Sequence, residues 1–186
     1  MVGWEVKEVK VALCGPMASG KTWLAEKLVE DYDLKRINLA GKVKDIAADL
    51  FFMQPENKDR LLLQEIGKKM RDIRPSVWVD YLLHQADCFG QVVCDDVRFI
   101  NEAQKLQRDG FTIILLEISE DLQKERLQRT YPDNWEVHWN ARRDASELDM
   151  WGDEILEHID GTISVQDGEI TYQKLINMLK TLDVLE

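Results

Sequence analysis

The stretch 9-VKVALCGPMASGKT-22 constrains this chain more than any other. A short, β-rich apolar run, 9-VKVALC-14, leads without a gap into the spacing G-x-x-x-x-G-K-[ST]. A buried strand that ends in a glycine turn and opens a helix is the setting in which this spacing binds phosphate. Glycines at 15 and 20 allow a tight turn and close approach of backbone N–H groups to phosphate oxygens. The helix that follows turns its positive end toward the same anion. The backbone of Gly15, Ala18, Ser19 and Gly20 is therefore expected to cradle ATP. Lys21 is expected to reach its β- and γ-phosphates, and Thr22 to ligate Mg2+. The motif predicts nucleotide binding; by itself it does not separate a kinase from a switch or an ATPase.

The remaining pattern predicts where this loop sits. Segment 21-KTWLAEKLVEDY-32 keeps its apolar positions on one helical face, and 35-KRINL-39 reads as a short second strand. Segments 41–52, 57–73 and 76–87 show helical spacing; the second must stop before Pro75, and Ser76 caps the third. Residues 91-QVVCD-95 read as a buried third strand, 99–110 as a helix with a glycine stop, and 112-TIILLEI-118 as a fourth strand. An arginine-rich helix at 120–130 precedes 131–147, which has no clean periodicity, and 162-TISV-165 and a helix at 170–182 close the chain. Strands alternating with helices predict a three-layer α/β P-loop NTPase fold with a mostly parallel, five-stranded sheet. We expect one domain over 1–186, with a helical insertion at about 41–88 and a substrate-closing segment near 131–147.

Composition narrows the partners. With 186 residues and 45% hydrophobic content, one domain with a normal core is expected. A net charge of −11 disfavours nucleic-acid polymers and anionic membranes, whose binding rests on basic surface. No apolar run approaches a membrane span, and the first residues lack a hydrophobic signal core, so a cytoplasmic location is expected. Three widely spaced cysteines match neither a disulfide framework nor a zinc pattern.

The second informative stretch is 91-QVVCDDVRFINEA-103. A phosphate-loop fold needs an acid at the carboxyl end of a neighbouring strand to hold the Mg2+ shell. Asp95 and Asp96 both qualify, and the period does not say which faces the metal; one of them could instead cap the next helix. Arg98 suits a phosphate through its planar fork, or else an ion pair with Glu102 at i+4.

The segment 94-CDDVRFINEAQKLQRDGFTIILLEI-118 resembles the D-V-R-F-x-N-E pattern of phage-type deoxynucleoside monophosphate kinases. Upstream, 39-LAGKVKDIAADLF-51 and 61-LLLQEIGKKMRDIRPSVWVDYLL-83 are similar to that family's lysine-opened helix and its R-x-x-x-P-x-x-W stretch. Downstream, 144-DASELD-149, with Ser146 and Glu147, and 160-DGTISVQDGEI-170 resemble its closing segments. The match places Asp96, Arg98, Asn101 and Glu102 on the motif. It implies that Asp96 is the metal-side residue and Asp95 its neighbour. Where the family's loop tends to carry Gly, Ser or Arg, this chain has Pro16-Met17-Ala18, positions that contribute backbone.

The resemblance implies transfer of the γ-phosphoryl group of ATP, with Mg2+, to a (deoxy)nucleoside monophosphate. The acceptor's second phosphate pKa is about 6, so its oxygen is already anionic and no general base is required. The reaction then needs positioning, neutralising cations and exclusion of water. Lys44, Arg71, Arg74 and Arg98 are expected at the acceptor phosphate, and Trp78 and Tyr81 either stack on its base or pack in the core. Arg126 and Arg129 precede the aperiodic segment, so a lid over about 126–147 is expected to bring them, and Arg142 and Arg143, over the transferring group. The donor base is expected near Val165–Gly168. A homodimer is possible. Two other readings stay open: a related kinase for a phosphorylated metabolite such as dephospho-coenzyme A or phosphomevalonate, and a nucleotide-binding regulatory module.

Overall fold

A computed structural model of the chain describes residues 8–56, 59–141 and 153–186. Strand β1 (Val9–Cys14) is followed by α1 (Lys21–Tyr32), β2 (Lys35–Ile37), α2 (Leu39–Phe51), α3 (Arg60–Ile73) and α4 (Val77–Phe89). Then come β3 (Gln91–Val97), α5 (Ile100–Arg108), β4 (Thr112–Glu117), α6 (Glu120–Thr130) and α7 (Trp135–Ala141). A short α8 (Asp153–Leu156), β5 (Gly161–Ser164) and α9 (Gly168–Thr181) complete the described chain.

The five strands form one sheet in the order β2-β3-β1-β4-β5, every neighbouring pair parallel. Parallel strands are covered on both faces, which explains the unbroken apolar runs of β1 and β4. Alternate residues feed two separate cores. Ala12, Cys14, Cys94 and Leu115 pack with α4 and α5 on one face. Leu13, Val93, Ile114 and Leu116 pack with α1 and α9 on the other. From β1 the chain leads outward to β2, and from β3 it crosses to β4, so the order reverses at β1. Ligand crevices in open α/β sheets lie at the carboxyl ends of strands at such a reversal.

Three departures from the sequence reading matter for the site. Strand β3 runs to Val97 instead of stopping at Asp95, because a register shift between Ala12 and Cys14 puts Cys14 opposite Val97. Helix α2 begins at Leu39, two residues early, because Asn38 Oδ1 accepts the Gly41 N–H at 2.6 Å and stabilises the first turn. The segment 131–147 is not wholly irregular: 135–141 form α7, on which buried His138 stacks against Tyr131 with ring centroids 3.9 Å apart. A helix this short, anchored by a few contacts, leaves no apolar stripe to read. Among the described residues, no helix is long and apolar enough to cross a membrane.

Candidate active site

The turn after β1 is built largely by backbone. Gly15 adopts φ +141°, and a Cβ there would lie 2.6 Å from the Leu116 carbonyl oxygen, so the close approach to β4 excludes any side chain. Gly20 caps α1 in the left-handed region at φ +97°, and Ala18 is also left-handed at φ +64°. For a residue with a Cβ this conformation is strained, as is common at ligand-binding turns. Lys21 Nζ folds back over the loop and donates to the carbonyls of Gly15 at 2.6 Å and Pro16 at 2.8 Å.

Helix α6 braces the outside of this loop. Arg126 donates from Nη1 to the Ala18 carbonyl at 3.0 Å and from Nη2 to the Gln166 carbonyl at 2.6 Å. Burial and the neighbouring Arg129 cation pull its pKa down from the ordinary arginine value. Gln123 Nε2 donates to the Met17 carbonyl at 2.9 Å. Between loop, α6 and the start of α9 lies a cavity of about 400 Å³ bounded by Ala18, Gly20, Trp23, Arg126, Arg129 and Thr171.

The two aspartates of β3 face opposite sides of the sheet, as alternation in a strand requires. Asp95 points to the α1 side, where its Oδ2 accepts the Thr22 hydroxyl at 2.8 Å. Arg36 of β2 forks onto the same carboxylate, Nε to Oδ1 at 3.0 Å and Nη2 to Oδ2 at 2.7 Å. Asp96 points to the α2 side. Its Oδ2 accepts the backbone N–H groups of Leu39 at 2.7 Å and Ala40 at 2.9 Å, where α2 begins. Burial pushes the Asp96 carboxyl above its ordinary range. Strand β3 continues past both acids, and it is Asp95, not the family-matching Asp96, that shares a face with Thr22. Nor does either acid cap α5. Glu102 does that, accepting the N–H of Arg98 at 2.9 Å and of Phe99 at 3.2 Å.

A second cavity, about 330 Å³, opens on the Asp96 side between α2, α3 and the loop after β3. Lys44, Lys68, Arg71 and Arg98 line it, together with Asp96 and Glu102. Arg71 is held on three sides. Its guanidinium lies 4.3 Å from the Phe99 ring centre, Nη2 is 3.5 Å from Glu102 Oε1, and Nη1 donates to the Gly67 carbonyl at 3.3 Å. Burial raises the Glu102 carboxyl above its ordinary value, against the pull of its backbone donors and Arg71. Trp78 is only 3% exposed and donates Nε1–H to the Gly67 carbonyl at 3.1 Å, so it forms the cavity's wall while packed in the core.

Some expected residues lie elsewhere. Arg74 pairs with Asp80 at 3.3 Å on the outside of α4, where Ser76 and Lys105 also bind Asp80. Asn101 Nδ2 donates to the Pro75 carbonyl at 3.2 Å and ties α5 to the α3–α4 turn. Neither lines the second cavity. Tyr81 lies under the Lys42 ammonium, 5.9 Å from it. Arg142, Arg143, Ser146 and Glu147 lie outside the described residues. Two residues were missed. Lys68 is three residues before Arg71 on the same face of α3, a spacing that would have found it. Arg36 stands two strand positions from Asp95 across the β2–β3 register, Arg36 opposite Val93, and nothing in the sequence reveals that pairing.

The Thr22 hydroxyl and the Asp95 carboxylate are hard oxygen donors of the kind that hold Mg2+ together with substrate phosphates. Their 2.8 Å contact puts both at the mouth of the glycine turn, so the donor set fits that ion.

Comparison of the sequence with protein-family models gave no match, and comparison with curated proteins gave none. Solved structures do match in fold. A shikimate kinase from Acinetobacter baumannii in complex with shikimate superposes with a TM-score of 0.63 at 16% identity, covering 93% of each chain. A gluconokinase from Sinorhizobium meliloti gives a TM-score of 0.56 at 15% identity, over 95% of this chain and 94% of that one. A dephospho-CoA kinase from Campylobacter jejuni gives 0.51 at 16% identity, over 93% and 96%. The chain therefore has the α/β fold of P-loop kinases, with a five-stranded, all-parallel sheet.

Proposed function

We propose that this protein is a P-loop kinase that transfers the γ-phosphoryl group of ATP to a (deoxy)nucleoside 5′-monophosphate, with Mg2+. The observation that carries this reading is the cavity in which Lys44, Lys68, Arg71 and Arg98 converge, one strand away from the glycine turn. Four cations around one cavity suit an anionic acceptor; a regulatory module would have no need of a second anion site beside the first.

The chain's own groups account for the rest. Loop amides and Lys21 take the donor phosphates, and Lys21 exchanges its carbonyl partners for phosphate oxygens. Arg126 ties the loop to Gln166 and stands beside the transferring group, and the donor base lies in the cavity by Gly168 at the end of the 165–168 loop. Arg129 lines that cavity and belongs with the lid over about 126–147. Thr22 and Asp95 hold the Mg2+, which neutralises charge on the β- and γ-phosphates when bound. Arg71 and Arg98 hold the acceptor phosphate, and residues 41–88 form the acceptor-binding part of a single domain. The acceptor oxygen is already anionic, so alignment and charge neutralisation suffice. The deoxy preference rests on the family resemblance alone.

A second reading draws on Asp96. A half-buried carboxylate with a raised pKa in the acceptor cavity suits a hydroxyl acceptor that needs a general base, as a dephospho-coenzyme A type of substrate would. One assay separates them. The protein is incubated with ATP, Mg2+ and a panel of ribo- and deoxynucleoside monophosphates beside hydroxyl acceptors, and ADP is followed. ADP formation that depends on a nucleoside monophosphate is expected. Dependence on a hydroxyl acceptor instead, or on no acceptor, overturns the proposal.

A further inference from the structure

Arg36 lies on a strand of three residues and takes no part in the reaction as proposed. We infer that Arg36 is a positioning residue: it fixes the Asp95 carboxylate so that one lone pair of Oδ1 stays directed at a water of the nucleotide-borne metal. The inference rests on the kinase reading for that metal and goes beyond it in assigning Arg36.

An ionised carboxylate offers about four lone-pair sites. Arg36 occupies two of them through its fork, at 3.0 Å on Oδ1 and 2.7 Å on Oδ2. The Thr22 hydroxyl occupies a third, on Oδ2. One site remains, on Oδ1. Asp95 would thus have a single site left to offer the metal or one of its waters, and the arginine sets the direction of that site.

The surroundings show that the fork is itself held. Thr22 and Glu26 lie four residues apart on α1 and so share one face. Thr22 reaches Asp95, and Glu26 Oε1 lies 3.5 Å from Arg36 Nη1. One face of α1 thus touches both partners of the pair, and the pair joins β2, β3 and α1. Asp95 is 4% exposed, so without the guanidinium its charge would be left buried and uncompensated. A lysine would keep the charge but not the two-point geometry, because an ammonium is a point donor.

The test uses Mn2+ as the probe, with ADP, and reads free Mn2+ by electron paramagnetic resonance. Arg36→Gln is expected to weaken Mn2+ binding to the ADP-loaded protein by about tenfold, the lower end of what loss of a ligand-orienting group does. Arg36→Lys is expected to behave like Arg36→Gln, because both lose the two-point orientation and the charge that lysine keeps does not restore it. In turnover assays the Mg2+ needed for half-maximal rate rises in parallel, while the acceptor KM stays at the wild-type value. Wild-type Mn2+ affinity in Arg36→Gln overturns the inference. So does tighter binding, which would make Arg36 a competitor of the metal, and so does wild-type behaviour of Arg36→Lys. If Arg36→Gln does not fold, Arg36→Lys decides alone. A wild-type protein that binds Mn2+ with ADP but phosphorylates nothing in the panel breaks the kinase proposal and leaves the Arg36 inference standing.

Discussion

The two cavities beside β1 are made in opposite ways. The proposed donor side is built on one continuous turn, residues 15–22, whose shape depends on Gly15 and Gly20, with α6 and the start of α9 closing its cavity. The proposed acceptor side is an assembly of side chains: Lys44 from α2, Lys68 and Arg71 from α3, Asp96 from β3, and Arg98 and Glu102 around the start of α5. A backbone site tolerates Met17, whose side chain is not required, and at Pro16 it uses only the carbonyl, which accepts from Lys21 at 2.8 Å. A side-chain site depends on what holds each side chain, and here Glu102 is the holder. Its carboxylate accepts the Arg98 and Phe99 amides and pairs with Arg71, so one buried acid joins α3 to the loop after β3.

The sharpest break of the donor side is Lys21→Ala. Removing a cation aimed at the transferring group should lower kcat by about 10²–10³, as loss of one preorganised donor does elsewhere. Retention of full turnover would show that the glycine turn is not where phosphate is handled.

Next comes the contrast between the adjacent acids. Asp95→Asn should lower turnover by roughly 10², on the order expected when a metal-holding group is lost. Asp96→Asn should leave turnover within a few-fold, because an amide oxygen can still accept the Leu39 and Ala40 N–H groups. Asp96→Ala leaves those amides without their acceptor and should destabilise the fold by about 1–3 kcal/mol in chemical unfolding. A larger turnover loss in Asp96→Asn than in Asp95→Asn would return the metal to Asp96, or support Asp96 as a general base.

On the acceptor side, Arg71→Ala and Arg98→Ala should each raise the acceptor KM by about tenfold, equivalent to ~1.4 kcal/mol of binding, and leave the ATP KM unchanged. A rise confined to the ATP KM would move either arginine to the donor side.

Glu102, the holder of the side-chain site, makes stability depend on pH. Its folded-state pKa is raised above the ordinary 4.5, so the folded chain takes up this proton before the unfolded chain does. Stability from this group therefore rises as pH falls from neutral through the folded value, and the gain is complete below 4.5. Against Glu102→Gln, which does not titrate, wild-type stability should improve over that window; a constant difference would show that burial does not perturb the carboxyl.

The smallest effect belongs to Arg74. It is 61% exposed and paired on the surface with Asp80. Arg74→Ala should change stability by no more than about 1 kcal/mol and leave the acceptor KM unaltered.

What could be read in advance divides along the same line as the two cavities. The glycine turn was legible because its function is written in consecutive residues, and the order of strands and helices because apolar runs and helical spacing are local signals. Arg71, Arg98 and Lys44 were legible as types in suitable places. Arg74, three residues from Arg71, carried the same signal, yet the chain turns before Pro75 and sends its side chain outward. Trp78 could equally have been a stacking platform or a core residue; its Nε1–H bond to Gly67 fixes it as wall. The helix at 135–141 stayed hidden because so short an element carries no periodicity of its own.

A parallel α/β sheet with a glycine turn after its first strand follows from the amino-acid sequence, because periodicity and glycine spacing act between near neighbours. Which partners each acid of β3 meets depends instead on the assembled sheet. A one-residue difference in a strand sends Asp95 to Thr22 and Arg36, and Asp96 to the start of α2. That choice depends on where β3 ends and on its register against β1 and β2, and a register is a relation between distant segments that no single segment contains.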